Sequence, residues 1–243
     1  MLRHYLYFAP KLYIPCLKLS IIIPTYNEAA VIRDLLRHLQ RHASPGTEII
    51  VADGGSTDAT RDIAGAQGAR VLLCGHKGRG PQMNAGAATG TGDVLYFLHA
   101  DTFPPVGFET YIKEAIQQGA GSGCFRLRFD SSHWFLRLNA WFTRFDQDAI
   151  RFGDQSLFVR RDVFRKAGGF NEQLLLLEDQ EVIGRLRRLA PFAVLPQQVT
   201  TSARKYREVG VYRLQAGYFL IYGLYRCGVP QQRLARIYKW LRR

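Results

Sequence analysis

The chain has 243 residues, a formal net charge of +13 from 33 basic against 20 acidic side chains, and 47% hydrophobic residues. This length buries a full core without staples, and the composition excludes a disordered or collagen-like chain. The four cysteines, Cys16, Cys74, Cys124 and Cys227, form no CxxC pair, which fits a reduced, cytoplasmic setting better than a disulfide-stapled secreted domain.

The first 18 residues read as an N-terminal extension. They are aromatic and apolar, but Pro10 and Pro15 interrupt them and Lys11 and Lys18 charge them, so they make neither a signal peptide nor a spanning helix. The β-branched run Leu19 to Ile23 predicts a strand ending at Pro24, and Ile32, Leu35, Leu36 and Leu39 then recur at helical spacing. A second unit repeats the first: strand Glu48 to Asp53, the turn Gly54-Gly55, and Ser56, Thr57 and Asp58 as capping oxygens for a helix to about Gln67. Arg70 to Cys74 predicts a third strand, Gly75 to Gly80 a loop, Pro81 to Ala88 a short helix, and Asp93 to Leu98 a fourth strand. Apolar strands alternating with helices imply an α/β fold with a mostly parallel central sheet flanked by helices, and such sheets bind ligands at the carboxyl ends of their strands.

The second half is more mixed. Gly123 to Phe129 and Gln155 to Val159 read as strands, and a helix from Arg161 to Ala167 stops at Gly168-Gly169. Glu178-Asp179 opens a helix whose Val182, Ile183, Leu186 and Leu189 share a face. Residues 182–243 hold 13 basic side chains and one acid, Glu208, which suggests an anionic counterpart: a diphosphate, acidic lipid headgroups or nucleic acid. The apolar stretch Leu214 to Tyr225, between Arg213 and Arg226, is too short to cross a bilayer; its tyrosines suit either an interfacial helix or a core helix. These patterns divide the chain into the extension 1–18, a main domain 19–205 with halves 19–101 and 102–205, and a basic helical segment 206–243.

Three polar clusters follow strands directly and converge on one sheet edge: Thr25-Tyr26-Asn27-Glu28, Asp53-Gly54-Gly55 and His99-Ala100-Asp101. A strand-end aspartate with a polar neighbour two positions earlier suits a divalent cation on a diphosphate, because Mg²⁺ and Mn²⁺ take few protein oxygens and fill the rest from phosphate and water. There is no Walker loop and no complete GxGxxG, so neither P-loop nor dinucleotide chemistry is indicated. The pair His38 and His42 lacks further ligands for zinc and reads as a solvated helix face.

In these motifs the sequence resembles the inverting family-two glycosyltransferases of GT-A fold: Ser20 to Glu28, Val51 to Asp58, Gly80 to Gly86, Phe97 to Thr102 and Glu178 to Glu181 match in order and spacing. Gly153-Asp-Gln155, Gly168-Gly-Phe170 and Thr201 to Lys205 are similar to the bacterial radical-SAM/selenodomain-associated transferases, some of which are linked to arsenosugar biosynthesis. The resemblance implies a nucleotide-diphosphate sugar donor, with UDP-sugar the first choice. Pro24, Thr25, Tyr26, Glu28 and Asp53 would hold its nucleoside, with Arg79 and Asn84 close by. Asp101 would be the ligand for Mn²⁺ or Mg²⁺, and His99, in place of the first acid of a DxD motif, would ligate the metal or touch the donor. Asp179 would be the general base, with Glu178 and Asp154 as alternatives. Arg204 and Lys205 would ride on a loop that closes over the diphosphate. The acceptor would be a small molecule or a lipid-linked one, with the basic C-terminus available for the inner face of the cell membrane and no nucleic acid expected. Two other classes compete: a sugar-nucleotide pyrophosphorylase, which lacks its GxGxR loop here, and a basic adaptor for nucleic acid or anionic membrane.

Overall fold

The computed structural model describes residues 17–147, 151 and 153–242. Its first half is a parallel sheet: β1 (Leu19–Thr25), β2 (Glu48–Asp53), β3 (Arg70–Leu73) and β4 (Val94–Phe97), linked by helices α1 (Ile32–His42), α2 (Thr60–Ala66) and α3 (Arg79–Thr89). All seven residues of β1 are buried, as a strand covered on both faces must be. Ile21 and Ile23 enter one core with Leu35 and Leu39 of α1, while Ile22 enters the other with Met83 and Ala87 of α3. Gly86 permits that second contact, because a Cβ there would stand 2.4 Å from Ile22 Cγ2.

The second half changes the strand direction. It comprises β5 (Thr102–Phe103), α4 (Phe108–Gln117), β6 (Ser122–Phe129), α5 (Trp134–Phe142), β7 (Leu157–Arg160), α6 (Arg161–Lys166), α7 (Glu178–Leu189), β8 (Phe192–Thr201), α8 (Arg204–Val209), α9 (Val211–Arg226) and α10 (Gln231–Leu241). The eight-stranded sheet runs β3-β2-β1-β4-β7-β6-β8-β5, with β7 antiparallel to both neighbours, β6 parallel to β8, and β5 antiparallel to β8. The sheet is therefore mixed from β4 onward, within the mostly parallel sheet that the sequence pattern implies. Sequence periodicity also leaves α4, α5, β5 and β8 unmarked. In β8, Pro196 cannot donate to a ladder, and the pairing register with β6 skips from Leu195 to Gln198 around it.

The chain after residue 205 packs against the rest of the fold. A boundary at 205/206 would cut α8, whose Tyr206 enters the main core together with Leu214 of α9. Helix α10 then packs on α9 through Ile221, Leu234 and Leu241. The basic charge sits on the outer faces of these helices while their apolar faces complete the domain. Among the described residues no helix is long and apolar enough to cross a membrane, and Cys74, Cys124 and Cys227 are free thiols.

Candidate active site

Two rings of polar side chains lie beyond the carboxyl ends of β1, β2 and β4. The first is a frame. Asp53 ends β2 with no exposed surface, and its carboxylate accepts from Thr25 Oγ1 (2.9 Å), Gly55 N (3.0 Å), Ser56 N (2.7 Å) and Ser56 Oγ (2.5 Å). Gln82 of α3 donates from Nε2 to the carbonyls of Thr25 and Ala52, both at 2.7 Å, and so clamps the ends of β1 and β2 together. Asn84 is spent in the same way: its amide accepts from Phe170 N (2.8 Å) and donates to Phe170 O and Glu172 Oε1 (both 2.9 Å).

Four of the residues expected around the donor nucleoside lie in this frame. Pro24 and Thr25 are buried in β1, and the side chains of Thr25, Asp53 and Asn84 make hydrogen bonds within the protein. Gln82 does as much for this frame as any residue singled out from sequence, and its place inside the Gly80 to Gly86 motif is the signal that pointed to it.

The second ring is exposed to the cleft. Tyr26 is 38% exposed, with Lys77 Nζ 3.3 Å above its ring. Glu28 meets Arg204 Nη2 at 3.6 Å; burial first, and then the neighbouring Asp101 charge, push its carboxyl above the ordinary value. Asp101 stands in the turn between β4 and β5, where its carbonyl accepts from Ser202 N at 3.1 Å. Its carboxylate has no hydrogen-bond or ion-pair partner among the described residues. Arg204 and Lys205 do not ride on a loop: they open α8, and Asp130 ties the preceding turn by accepting from Ala203 N at 2.6 Å. Lys205 links the ring to its inner part, since its charge favours the ionised forms of both Glu28 and Asp154.

The inner part is crowded with carboxylates. His99 Nδ1 contacts Asp154 Oδ1 at 3.2 Å. Burial would raise Asp154, but the His99 hydrogen bond and the positive charges of His99, Lys205 and Arg79 hold it well below the usual carboxylate range. Burial works against protonation of His99 too, yet Asp154 more than offsets this and raises it. Arg79 Nε lies 2.8 Å from Glu178 Oε1, an ion pair whose angle is not that of a hydrogen bond, so neither oxygen of Glu178 has a hydrogen-bond donor. Next to it, burial and then the Glu178 charge push the Asp179 carboxyl up to about 6.

The backbone around these groups is strained. Three non-glycine residues adopt left-handed conformations: Asn27 (φ 55°), Ser156 (φ 56°) and Leu177 (φ 65°). Each is a near neighbour of a site carboxylate, Glu28, Asp154 or Asp179. Such strain persists where surrounding contacts over-determine it, commonly at functional sites.

Asp154, Asp179, Arg79 and Lys205 line a cavity of about 300 Å³. The remainder of its wall is largely apolar and aromatic, with Phe129, Phe142, Leu176, Tyr218, Phe219 and Tyr238 prominent. The arrangement offers an open carboxylate (Asp101), a cationic pair (Arg204, Lys205), and a carboxyl titrating near neutrality in the wall of an apolar chamber. Among the described residues no three His, Cys, Asp or Glu side chains are grouped to hold an ion by themselves. The unpaired Asp101 instead fits a hard cation that draws most of its oxygens from a bound diphosphate and water.

A profile of the family described as Glycosyl transferase family 2 matches residues 20–167, more than half of the sequence. The chain belongs to glycosyl transferase family 2. A PGL/p-HBAD biosynthesis glycosyltransferase of Mycobacterium bovis is 29% identical over 208 residues, covering 79% of this chain and 77% of the relative. The succinoglycan biosynthesis protein ExoA of Rhizobium meliloti is 29% identical over 188 residues, 68% and 57% of the two chains. Among solved structures, the mannosyltransferase PcManGT of Pyrobaculum calidifontis, in complex with GDP-Man and Mn²⁺, superposes with a TM-score of 0.69 at 17% identity, over 92% of this chain and 69% of that one. The glucosyl-3-phosphoglycerate synthase of Mycobacterium tuberculosis, with Mn²⁺, UDP and glucosyl-3-phosphoglycerate bound, gives 0.61 at 20% identity over 88% and 81%. The fold is GT-A-like and the protein is a glycosyltransferase, which sets the pyrophosphorylase and the non-enzymatic adaptor aside.

Proposed function

We propose that this family-two glycosyltransferase moves a sugar, with inversion, from a nucleoside diphosphate to an acceptor hydroxyl bound in the apolar cavity. The single observation that carries this reading is Asp179: a carboxyl lifted to about 6, facing that cavity beside Asp154, Arg79 and Lys205. A base poised near working pH removes a proton most effectively when its ionised form is available but not over-stabilised. As the acceptor oxygen bonds to the anomeric carbon, its proton passes to Asp179 and the bond from that carbon to the diphosphate oxygen breaks on the opposite face.

Asp101 would hold Mn²⁺ or Mg²⁺, which when bound offsets the charge of the departing diphosphate. Arg204 and Lys205 add fixed positive charge on the same side, already ordered at the start of α8. His99 positions Asp154 through Nδ1, and Tyr26 presents its ring to the base of the donor. Related folds are found with GDP-Man and with UDP bound, and we take the uridine sugar as the first choice of donor. The narrower likeness to the selenodomain-associated transferases rests on Gly153 to Gln155, Gly168 to Phe170 and Thr201 to Lys205.

The test is release of nucleoside diphosphate from a panel of UDP- and GDP-sugars with Mn²⁺, without and with simple alcohols and phenols as acceptors. Metal-dependent turnover of one nucleotide series, lost in Asp179→Asn, supports the reading. Turnover that Asp179→Asn leaves unchanged would overturn Asp179 as the base.

A further inference from the structure

Helices α5 and α9 leave exposed apolar stripes that nothing among the described residues covers. On α5 and the turn after it, Trp134 (62% exposed), Leu138, Trp141, Phe142 and Phe145 recur at helical spacing. On α9 the same spacing exposes Tyr212, Ala216, Phe219 and Leu220. The two helices run in the same direction. Their contacts advance together, from the Phe135 and Tyr212 rings (5.2 Å apart), through Asn139 Nδ2 donating to Gln215 Oε1 (3.1 Å), to Phe142 and Phe219, which both line the acceptor cavity. The stripes thus flank one seam, at whose far end Phe142 and Phe219 are both exposed and both line the cavity.

The charge on this face is mainly positive. No acid occurs between Asp130 and Asp146, nor anywhere after Glu208, while Arg137, Arg144, Arg213 and Arg226 border the stripes. Beside Trp141 a second depression of about 870 Å³ is lined by Arg128, Arg137 and Arg144 together with Asp130, and the two marginal acids are ion-paired, Asp130 with Arg207 and Asp146 with Arg187. Neither Arg128 nor Arg137 is paired with a carboxylate among the described residues. Arg144 stacks on Trp141 with Cζ 4.4 Å from the ring. The patch is also held in place: the buried Arg151 guanidinium donates to the carbonyls of Thr143 (2.8 Å) and Phe145, which fastens the turn bearing Phe145. Exposed Trp, Phe and Leu with arginines around them, on helices too short to span, is the composition of a surface that lies in the headgroup layer.

We propose that the α5–α9 face docks on an anionic phospholipid leaflet, so that the cavity mouth at Phe142 and Phe219 opens toward the bilayer and admits an amphipathic acceptor whose hydroxyl reaches Asp179. The acceptor part rests on the transferase reading above; the docking part does not. Arg128, Arg137 and Arg144 meet lipid phosphates, while Trp134, Trp141, Phe145 and Leu220 enter the acyl boundary. A second copy of the chain would bring the same unpaired arginines against each other, which disfavours self-association as the cover for this face.

The experiment is flotation of the full-length protein with vesicles of phosphatidylcholine alone and of phosphatidylcholine with phosphatidylglycerol. The expected result is binding to the anionic vesicles only, weakened by salt, and reduced at least about tenfold both by Trp141→Glu/Leu220→Glu and by Arg137→Glu/Arg144→Glu. Thermal stabilisation of the same samples by UDP and Mn²⁺ reads the donor site and the fold separately, so a failure of docking and a failure of the transferase reading are told apart. Absence of vesicle binding by a protein that UDP and Mn²⁺ stabilise would overturn the proposal. So would equal binding to neutral and anionic vesicles, or a dimer that Trp141→Glu/Leu220→Glu dissociates without any vesicle binding.

Discussion

Up to β4 the sheet is parallel, and the polar groups at its strand ends are largely satisfied by the protein itself: Asp53 accepts four hydrogen bonds, Asn84 makes three, and Gln82 bridges two strands. Past β4 the pairing becomes mixed and the polar groups are crowded instead. Glu178 has no hydrogen-bond donor, Asp179 is raised toward neutrality beside it, and Ser156 and Leu177 hold left-handed backbone. Aspartates 53 and 179 are both buried, yet they face opposite demands. A carboxylate whose lone pairs are filled by fixed donors is a structural element, whereas one left short of donors and pressed by a like charge is ready to take a proton.

The sharpest way to break that contrast is to neutralise each aspartate in turn. Asp179→Asn should lower kcat by about 10²–10⁴-fold, the range for loss of a general base. It should also stabilise the fold by on the order of 1–3 kcal/mol at pH 8, because a charge held at a raised pKa is removed. The sign follows from linkage: the folded carboxyl titrates at about 6 against an ordinary 3.8, so its contribution is intact at low pH and is lost as pH rises through 6. Asp53→Ala should do the reverse for stability, costing about 2–4 kcal/mol by orphaning the donors of Thr25, Gly55 and Ser56. Urea unfolding of both variants with steady-state turnover decides it; destabilisation by Asp179→Asn would refute the contrast.

Asp101 tests the exposed ring in the same spirit. Its carboxylate has nothing to lose within the protein, so Asp101→Ala should leave the unfolding midpoint nearly unchanged while reducing Mn²⁺-dependent donor turnover about 10²-fold or more. A fall in stability comparable to that of Asp53→Ala would move Asp101 from the ligand ring into the frame.

A smaller effect is expected from pH. If Asp179 is the base, kcat should climb as its carboxyl ionises, with an ascending limb centred near 6, and this limb should vanish from the residual activity of Asp179→Asn. A limb near 4 would mean that the group is not held above its ordinary value.

The parallel half was legible because one period rules it. Glu48 to Asp53 begins and ends where the pattern says, and the covered faces make its centre, Ile49 to Ala52, apolar. The approach of Glu28 to Asp101 could be inferred from strand-end placement, whereas Asp179, at the start of α7, was reached only through the family resemblance. What escaped was decided by partners distant in sequence. The commitment of Asn84 to Phe170 depends on a chain reversal 86 residues away, and β8 is masked by Pro196, which only its bulge against β6 accommodates. Helix α5 has apolar residues on both its buried and exposed faces, so periodicity gives no stripe to read.

The mildest change addresses the strain itself. Leu177 precedes α7 at φ 65°, and its side chain forms part of the cavity wall near Asp179. Leu177→Gly removes a modest apolar contact but relieves the left-handed penalty, whereas Leu177→Ala removes the same contact and keeps the penalty. The glycine variant should therefore be the more stable of the two by about 1 kcal/mol, the reverse of their order inside an ordinary helix. Both should raise the KM of an apolar acceptor severalfold, because the wall recedes equally in each. If the glycine variant alone also loses kcat, then the strained turn is itself holding Asp179 in register, and the backbone conformation contributes to catalysis beyond the side chain it carries.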